Sequence, residues 1–256
     1  LNLAAASTIT QNSSASMTIS SVLQGVGSAL TKNGTGALTL SGSNTYSGGT
    51  SINVGTLTIS NVNALGTGNV TVASSAIAQL NVTGGTFSNN FTLNSTATNG
   101  AIQANTLSGL ITLASYATIG NRATGGNSTL TLTGGINTTG GTNQTLTLNI
   151  LGNATAGYVN NAITISTNSI NLGSGGTLDI GAGIQASGTG TVNLNVANNT
   201  MGNVTVRGTT ASNTTTTTVL NLGAANALGG AVLQLGNTNG ATTNETVTVN
   251  LNGNSQ

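Results

Sequence analysis

Side chains that could carry acid–base, nucleophilic or metal chemistry are nearly absent from this 256-residue chain. It contains three cations and two carboxylates, and neither histidine nor cysteine occurs. The charged residues are Lys32, Arg122, Asp179, Arg207 and Glu245. An ordinary soluble domain has about a quarter of its residues charged. Catalysis therefore has few candidate groups in this sequence.

The two carboxylates are the only candidates for general acid–base catalysis. This chemistry needs two positioned acids or a histidine, and neither Asp179 nor Glu245 has a second acid near it in sequence. Zinc favours histidine and cysteine ligands. Calcium-binding solenoid repeats use a Gly-Gly-x-Gly-x-Asp pattern, which the segment 173–183 matches only weakly around Asp179. We therefore predict a protein that is not an enzyme and that uses no metal or other cofactor.

Charge and hydropathy also argue against two classes of partner. The formal net charge is +1, and the three cations are isolated from one another in sequence. Nucleic-acid binding usually needs a basic stripe or patch. A membrane-spanning helix needs about 20 predominantly apolar residues in succession, and no such run occurs. We predict neither a nucleic-acid partner nor a transmembrane segment.

Short segments in which aliphatic residues alternate with threonine or asparagine recur along the chain, separated by clusters of Gly, Asn and Ser. This period of two is typical of strands with one buried face, and β-branched residues favour strands. The alternating segments are 36–42, 55–60, 69–73, 128–134, 144–150, 161–167, 191–197, 203–208 and 245–251. The pattern predicts an all-β fold, with at most one helical turn near 226–230.

Internal repetition favours a solenoid over a sandwich or a barrel. The segments 57–66 and 220–229 share the frame Leu-x-aliphatic and both end in Asn-Ala-Leu-Gly. Each coil of a solenoid buries its aliphatic face against the coils on either side, and stacked polar side chains form ladders. The absence of proline fits, because proline would remove hydrogen bonds from central strands. We predict one β-solenoid domain over 1–256, as a mature portion or a fragment of a longer exported chain.

One set of motif residues lies between 30 and 72, and a shorter, degenerate set follows later. The first set is Lys32, Tyr46, Gly48, Gly49, Asn63 and Gly66, and the second is Asn226 and Gly229. Over about 20–72, and more weakly over 219–235, the chain resembles the autotransporter-associated β-strand repeat of bacterial surface and secreted proteins. The resemblance implies a right-handed parallel β-helix, exported to the cell exterior as a stalk, an adhesin or a structural element. We expect these residues to act in turns, corners and side-chain amide ladders.

The scarcity of charge leads to the functional prediction. Surface charge keeps soluble monomers apart, and charged residues protect exposed strand edges from pairing. We therefore predict an extracellular or cell-surface protein that self-assembles through its coils into a filament, sheath or tube, with other copies of itself as its partner. The alternative is an adhesin or passenger stalk of an autotransporter-like surface protein, with the cell surface or glycans as partners.

A third interpretation is an ice- or glycan-binding solenoid. Thr-x-Thr rows recur at 129–133, 145–148 and 214–218, and the resemblance to ice-binding β-solenoids is one of composition. Against this interpretation, the spacing from coil to coil is not regular along the sequence, and threonine suits the outward face of any strand.

Overall fold

The structure is a computed structural model, and it describes residues 1–74, 76–80, 82, 85–94, 102–103, 106–122, 128–141, 143–151, 159–181, 188–208, 216–236 and 245–255. Its described residues form 24 strands and a single 3-10 turn at Thr139–Gly141. Every strand pairing is parallel, and the strands form three sheets of seven, ten and seven strands. No described helix is long and apolar enough to cross a membrane.

The three sheets are numbered in the order in which the chain meets them. Sheet 1 contains β1 (Ala6–Thr10), β3 (Ala29–Asn33), β5 (Thr50–Ile52), β7 (Val70–Val72), β10 (Phe91–Leu93), β13 (Ile111–Leu113) and β16 (Ile136–Thr138). Sheet 2 contains β2 (Met17–Ile19), β4 (Ala37–Leu40), β6 (Thr56–Ile59), β8 (Ile77–Leu80), β11 (Ile102–Gln103), β14 (Ala117–Arg122), β17 (Thr145–Leu151), β19 (Thr177–Ile180), β21 (Asn203–Val206) and β23 (Val232–Leu235). Sheet 3 contains β9 (Thr86–Phe87), β12 (Thr106–Leu107), β15 (Ser128–Leu132), β18 (Val159–Ile165), β20 (Gly188–Leu194), β22 (Thr216–Leu222) and β24 (Glu245–Asn250).

The chain visits the sheets in the same order in every coil. Strands that are neighbours in a sheet belong to successive coils, so that Thr50 pairs with Leu30 on one side and with Val70 on the other. The first three coils contribute strands to sheets 1 and 2 only, and sheet 3 begins with β9 in the fourth coil. After β16, isolated bridges at Ile170 and Thr200 continue sheet 1. This arrangement is a parallel β-helix.

Alternation along each strand separates the core from the surface. In β6 the side chains of Leu57 and Ile59 are fully buried, whereas those of Thr56 and Thr58 are half-buried on the outside. Because parallel pairing is in register, Leu57 packs directly between Leu38 and Ala78 of the adjacent coils. The aliphatic files therefore run through the inside of the stack and form one continuous core.

The coils become longer toward the C-terminal end. Hydrogen bonds between successive coils join residues 20 positions apart near the start of the chain, as from Asn53 to Asn33. In the C-terminal part of sheet 3 the corresponding bonds join residues 28 or 29 positions apart, as from Asn221 to Asn193 and from Asn250 to Asn221. The first two strands of that sheet still pair at the shorter spacing, as Thr86 does with Thr106. The longer coils contain the longer strands of sheet 3, of which β18, β20 and β22 have seven residues each.

The structure confirms the predicted fold class and places a strand within each of the nine alternating segments. The segment 226–230 forms turns. The right hand of the helix and the extent of the domain stay predictions.

Candidate functional site

Lys32 lies in β3 with its side chain turned into the core, where it stacks on Ile52 of the next coil. The residue has no exposed area. Its Nζ donates hydrogen bonds to the carbonyl oxygens of Asn33 at 3.0 Å, Gly34 at 2.7 Å and Val54 at 3.1 Å. An ammonium group has three N–H donors, so each of them has an acceptor.

The surroundings of Lys32 indicate a structural role for its ammonium group. Burial lowers the pKa of its ammonium group, because the charged form loses hydration. The first carbonyl group belongs to the last residue of β3, the second to the turn that follows, and the third to the coil above. Lys32 thus joins a corner of one coil to the next coil by a hydrogen bond. Its buried ammonium group is not accessible to a substrate.

Asp179 and Arg207 form an ion pair on the outer side of sheet 2. Arg207 donates from Nε to Asp179 Oδ1 at 2.8 Å and from Nη2 to Oδ2, which is the two-point geometry that suits a guanidinium and a carboxylate. Thr147 Oγ1, one coil earlier, donates to Oδ2 at 3.4 Å. The Asp179 side chain is only 8% exposed, so the ion pair neutralises a nearly buried carboxylate.

The two carboxylates lie on different sheets. Asp179 is part of β19 in sheet 2, and Glu245 begins β24 in sheet 3. The side chains of Glu245 and Arg122 lie outside the described residues. Within the described part of the chain, no group of three His, Cys, Asp or Glu residues could hold a metal ion.

A buried corner before β5 joins three successive coils. Asn44 Oδ1 accepts a hydrogen bond from Leu23 N in the coil below at 2.8 Å, and its Nδ2 donates to Ala64 O in the coil above at 2.6 Å. Asn44 is 3% exposed, so this amide replaces water for two main-chain groups. The corner residues Asn44, Tyr46 and Thr50 are named the amide corner below.

Tyr46 fills the interior of the amide corner. Its ring is fully buried, and its hydroxyl lies 2.6 Å from Thr50 Oγ1, which in turn donates to Leu65 O at 3.1 Å. The phenol oxygen also lies 3.4 Å from Ala64 O, so its proton has a main-chain acceptor when Thr50 donates to it. Burial raises the pKa of Tyr46 to about 12, and the hydrogen bond with Thr50 partly opposes that rise.

A second amide corner lies near the C-terminal end. Asn199 Oδ1 accepts from Ile170 N at 2.7 Å, and its Nδ2 donates to Ala227 O at 2.6 Å. Ala64 and Ala227, the acceptors of the two corners, occupy the same position in the two Asn-Ala-Leu-Gly elements. The two elements therefore have the same structural role, because each places an alanine carbonyl above a buried asparagine.

The asparagine and glycine of each Asn-Ala-Leu-Gly element close a tight turn. Gly66 N donates to Asn63 O at 3.1 Å, and Gly229 N donates to Asn226 O at 3.2 Å. Gly66 and Gly229 have φ values of +67° and +61°, which favour glycine. A Cβ atom would collide with Tyr46 O at Gly66 and with Asn199 O at Gly229, so each turn lies directly against its amide corner.

The paired glycines 48 and 49 lie where the chain enters β5. Gly48 N donates to Ser28 O at 2.8 Å in the coil below, and Gly49 O accepts from Leu30 N at 3.0 Å. Cβ atoms at these positions would lie 2.5 Å from Gly27 O and 2.7 Å from Asn69 O. Main chain approaches main chain closely here, which explains the absence of side chains.

Side-chain amides also form ladders on the outer surface. Asn250 Nδ2 donates to Asn221 Oδ1 at 2.7 Å, Asn221 Nδ2 donates to Asn193 Oδ1 at 2.8 Å, and Asn193 Nδ2 donates to Thr164 Oγ1 at 3.0 Å. A shorter ladder joins Asn226 to Asn198 at 3.0 Å. Such ladders stabilise stacked parallel strands.

Sequence reasoning missed Asn199 as the counterpart of Asn44. The available signal was the dipeptide Asn-Thr, which occurs at Asn44 and again at Asn199, each one coil before an Asn-Ala-Leu-Gly element. Coils of unequal length conceal this signal, since the two asparagines lie at different distances from the elements that follow them.

Comparison with known proteins gives one match. The family Passenger-associated-transport-repeat matches residues 30–59, which include β3, β4, β5 and β6 together with Lys32 and the amide corner. No curated protein and no solved structure matches the chain significantly. The match confirms the resemblance to an autotransporter passenger repeat over this short segment.

Replacement of Asn44 by alanine tests the amide corner. Asn44→Ala leaves the Leu23 N–H and the Ala64 carbonyl buried, and we expect it to lower the free energy of unfolding by about 2–4 kcal/mol. The matched control is Asn53→Ala, which removes an exposed amide that bonds Asn33 in a surface ladder, with an expected cost below about 1 kcal/mol. Urea unfolding at constant m-value measures both. Equal costs would contradict the role assigned to Asn44.

The pH dependence of stability tests the burial of Tyr46. Its pKa is about 12 in the folded protein and 10.0 in the reference state, so the unfolded chain loses the phenol proton first. The stabilisation from Tyr46 is therefore complete below pH 10 and is lost as the pH rises toward 12. Relative to Tyr46→Phe, the wild type should lose up to about 3 kcal/mol across this interval. Parallel curves in urea titrations from pH 8 to 11.5 would refute the prediction.

Proposed function

We propose that this chain is a coil-stacking segment of an exported, passenger-like protein that serves as a stalk or adhesin at the cell surface. The observation that carries the proposal is the position of the passenger-repeat match. Residues 30–59 form two successive coils, and their parallel pairing continues without interruption into the coils on both sides. The unmatched remainder of the chain extends the same architecture.

The hydrogen bonds made by the matched segment support a mechanical role as a stalk. Lys32 and Asn44 both direct side-chain hydrogen bonds to the main chain of the following coil. These contacts join coils along the axis of the stack, in addition to the main-chain pairing of the sheets. A rod built in this way separates whatever lies at its two ends.

The sparse charge supports a location outside the cell. Of the charged side chains that the structure describes, Lys32 is buried and the other two neutralise each other as the Asp179–Arg207 pair. Few interactions can therefore be screened by salt or broken by protonation. Such a surface keeps its structure where pH and ionic strength vary. The same scarcity supports a role without catalysis and without nucleic-acid binding.

Labelling of intact cells tests the proposed location. We expect an antibody against the folded chain to stain unpermeabilised cells of the source organism, and external protease to remove the signal while a cytoplasmic marker stays intact. Staining that requires permeabilisation would overturn the proposal.

A second candidate function is self-assembly into a filament, sheath or tube. It is favoured by the outer faces of the described coils, where hydroxyl and amide groups predominate and no unpaired charged side chain lies. The edge strands at the two ends of the stack each have one pairing partner in their sheet. Main-chain groups on their other side are suited to pair with a second copy.

Electron microscopy of the purified protein distinguishes the two functions. In a concentration series under negative stain, a stalk or adhesin should give discrete short rods at every concentration. Filaments, tubes or sheets that lengthen with concentration would instead support self-assembly and would make it the main function. Sedimentation velocity on the same samples provides the control for adsorption to the grid.

A further inference from the structure

Sheet 3 is the part of the molecule that a simple stack of coils does not need. The first three coils stack through sheets 1 and 2 alone. From the fourth coil onward the chain adds the strands of sheet 3. In the C-terminal part of that sheet, coil-to-coil bonds join residues 28 or 29 positions apart instead of 20. The outer side of sheet 3 is therefore available for a function beyond that of a stalk.

The outward side chains of sheet 3 form three files that stay in register from coil to coil. The first file is Thr86, Thr106, Thr131, Thr164, Asn193, Asn221 and Asn250. The second is Thr129, Ala162, Thr191, Val219 and Thr248. The third, in the longest strands, includes Thr189, Thr217 and Thr246. All of these side chains are half-buried or exposed.

The files form a regular two-dimensional array. Parallel strands lie about 4.7–4.9 Å apart, and alternate residues along a strand lie about 6.5 Å apart. The irregular coil spacing of the sequence does not disturb this array, because the chain lengthens between the strands and the pairing within sheet 3 stays in register.

Two features make the array rigid. Threonine is β-branched and has restricted χ1 freedom, so its methyl and hydroxyl groups keep fixed directions. The amide ladder of Asn193, Asn221 and Asn250 runs along one side of the array. Side-chain ladders of this kind stabilise flat sheets, which otherwise twist.

The chemistry of the array suits an ordered layer of water. Threonine hydroxyl groups both donate and accept hydrogen bonds, and methyl groups lie beside them at the same spacing. No charged or aromatic side chain occurs among the described members of the three files. A charged group would impose its own hydration shell on neighbouring water, and aromatic rings would be expected in a platform for sugars.

We propose that the outer face of sheet 3 binds ice. Its outward threonines lie at spacings close to those of water oxygens on the faces of hexagonal ice, so that hydroxyl groups can take the place of lattice waters while methyl groups fill the spaces between them. The bound form is a crystal surface, not a free molecule. Sheet 1 lacks this property, because most of its strands have three residues and present a single file of hydroxyl groups.

The test compares two lysine variants on different faces. Thr191→Lys introduces a charge into the second file of sheet 3, and Thr71→Lys introduces the same charge into the outward file of sheet 1, where Thr71 pairs with Ser51 and Thr92. Circular dichroism verifies the fold of each variant. The readouts are the gap between the melting and freezing temperatures, the shape of a growing single ice crystal, and the incorporation of fluorescently labelled protein into that crystal.

We expect the wild type and Thr71→Lys to produce faceted ice and a measurable temperature gap, and Thr191→Lys to lose both. Thr248→Lys, in the last strand of sheet 3, is a second variant that should show the same loss if Thr191→Lys folds poorly. Round, unfaceted wild-type crystals that exclude the label would overturn the proposal. Equal losses in the sheet 1 and sheet 3 variants would also overturn it, as would adsorption to microcrystalline cellulose or chitin without any effect on ice.

Discussion

In-register parallel pairing between successive coils is the constraint on which the rest of this structure depends. Each residue in a strand lies directly above and below the residues that occupy the same position in adjacent coils. Each side chain therefore lies between the side chains at the same position in the adjacent coils, which together form a file. Files of aliphatic residues form the core, and files of asparagine form ladders. A residue that differs from the rest of its file must find other partners. This rule accounts for both the regular and the exceptional positions of the molecule.

The exceptional positions are the polar groups placed inside the stack. Lys32 occupies a position in an aliphatic file, and its ammonium is stable there because three carbonyl groups surround it. The side-chain amides of Asn44 and Asn199 form hydrogen bonds with main-chain groups that have no sheet partners at the corner turns. A buried polar group without partners costs more than the net gain from a hydrogen bond, so these positions accept few substitutions. Residues 30–59, which match the passenger repeat, include both Lys32 and Asn44. Near the other end of the chain, Asn199 makes the equivalent bond to the second Asn-Ala-Leu-Gly element.

The outside of the stack follows the same rule with different residues. Asparagine ladders join the coils along the outer files, and the Asp179–Arg207 pair adds an ionic contact between two coils. The described surface is consequently polar and almost uncharged, which is unusual for a protein in solution. A stalk, a self-assembling subunit and an ice-binding face are all compatible with such a surface. They differ in which face contacts the partner: the ends of the stack in a filament, and the array of sheet 3 in ice binding.

The sequence by itself determined the strands in the nine alternating segments, the side that those strands bury, and the scarcity of catalytic groups. Alternation of aliphatic and polar residues is a local property, and it carries through into the structure in segments such as 36–42 and 203–208. Only the tertiary structure decided which strands stack, because that choice joins residues separated by one coil, and the coils vary in length. For the same reason the acceptors of Lys32, the equivalence of Asn199 with Asn44, and the in-register outward files of sheet 3 became visible only in the folded chain. Register between coils is set by main-chain pairing and by corners that absorb extra residues, and neither leaves a fixed spacing in the sequence.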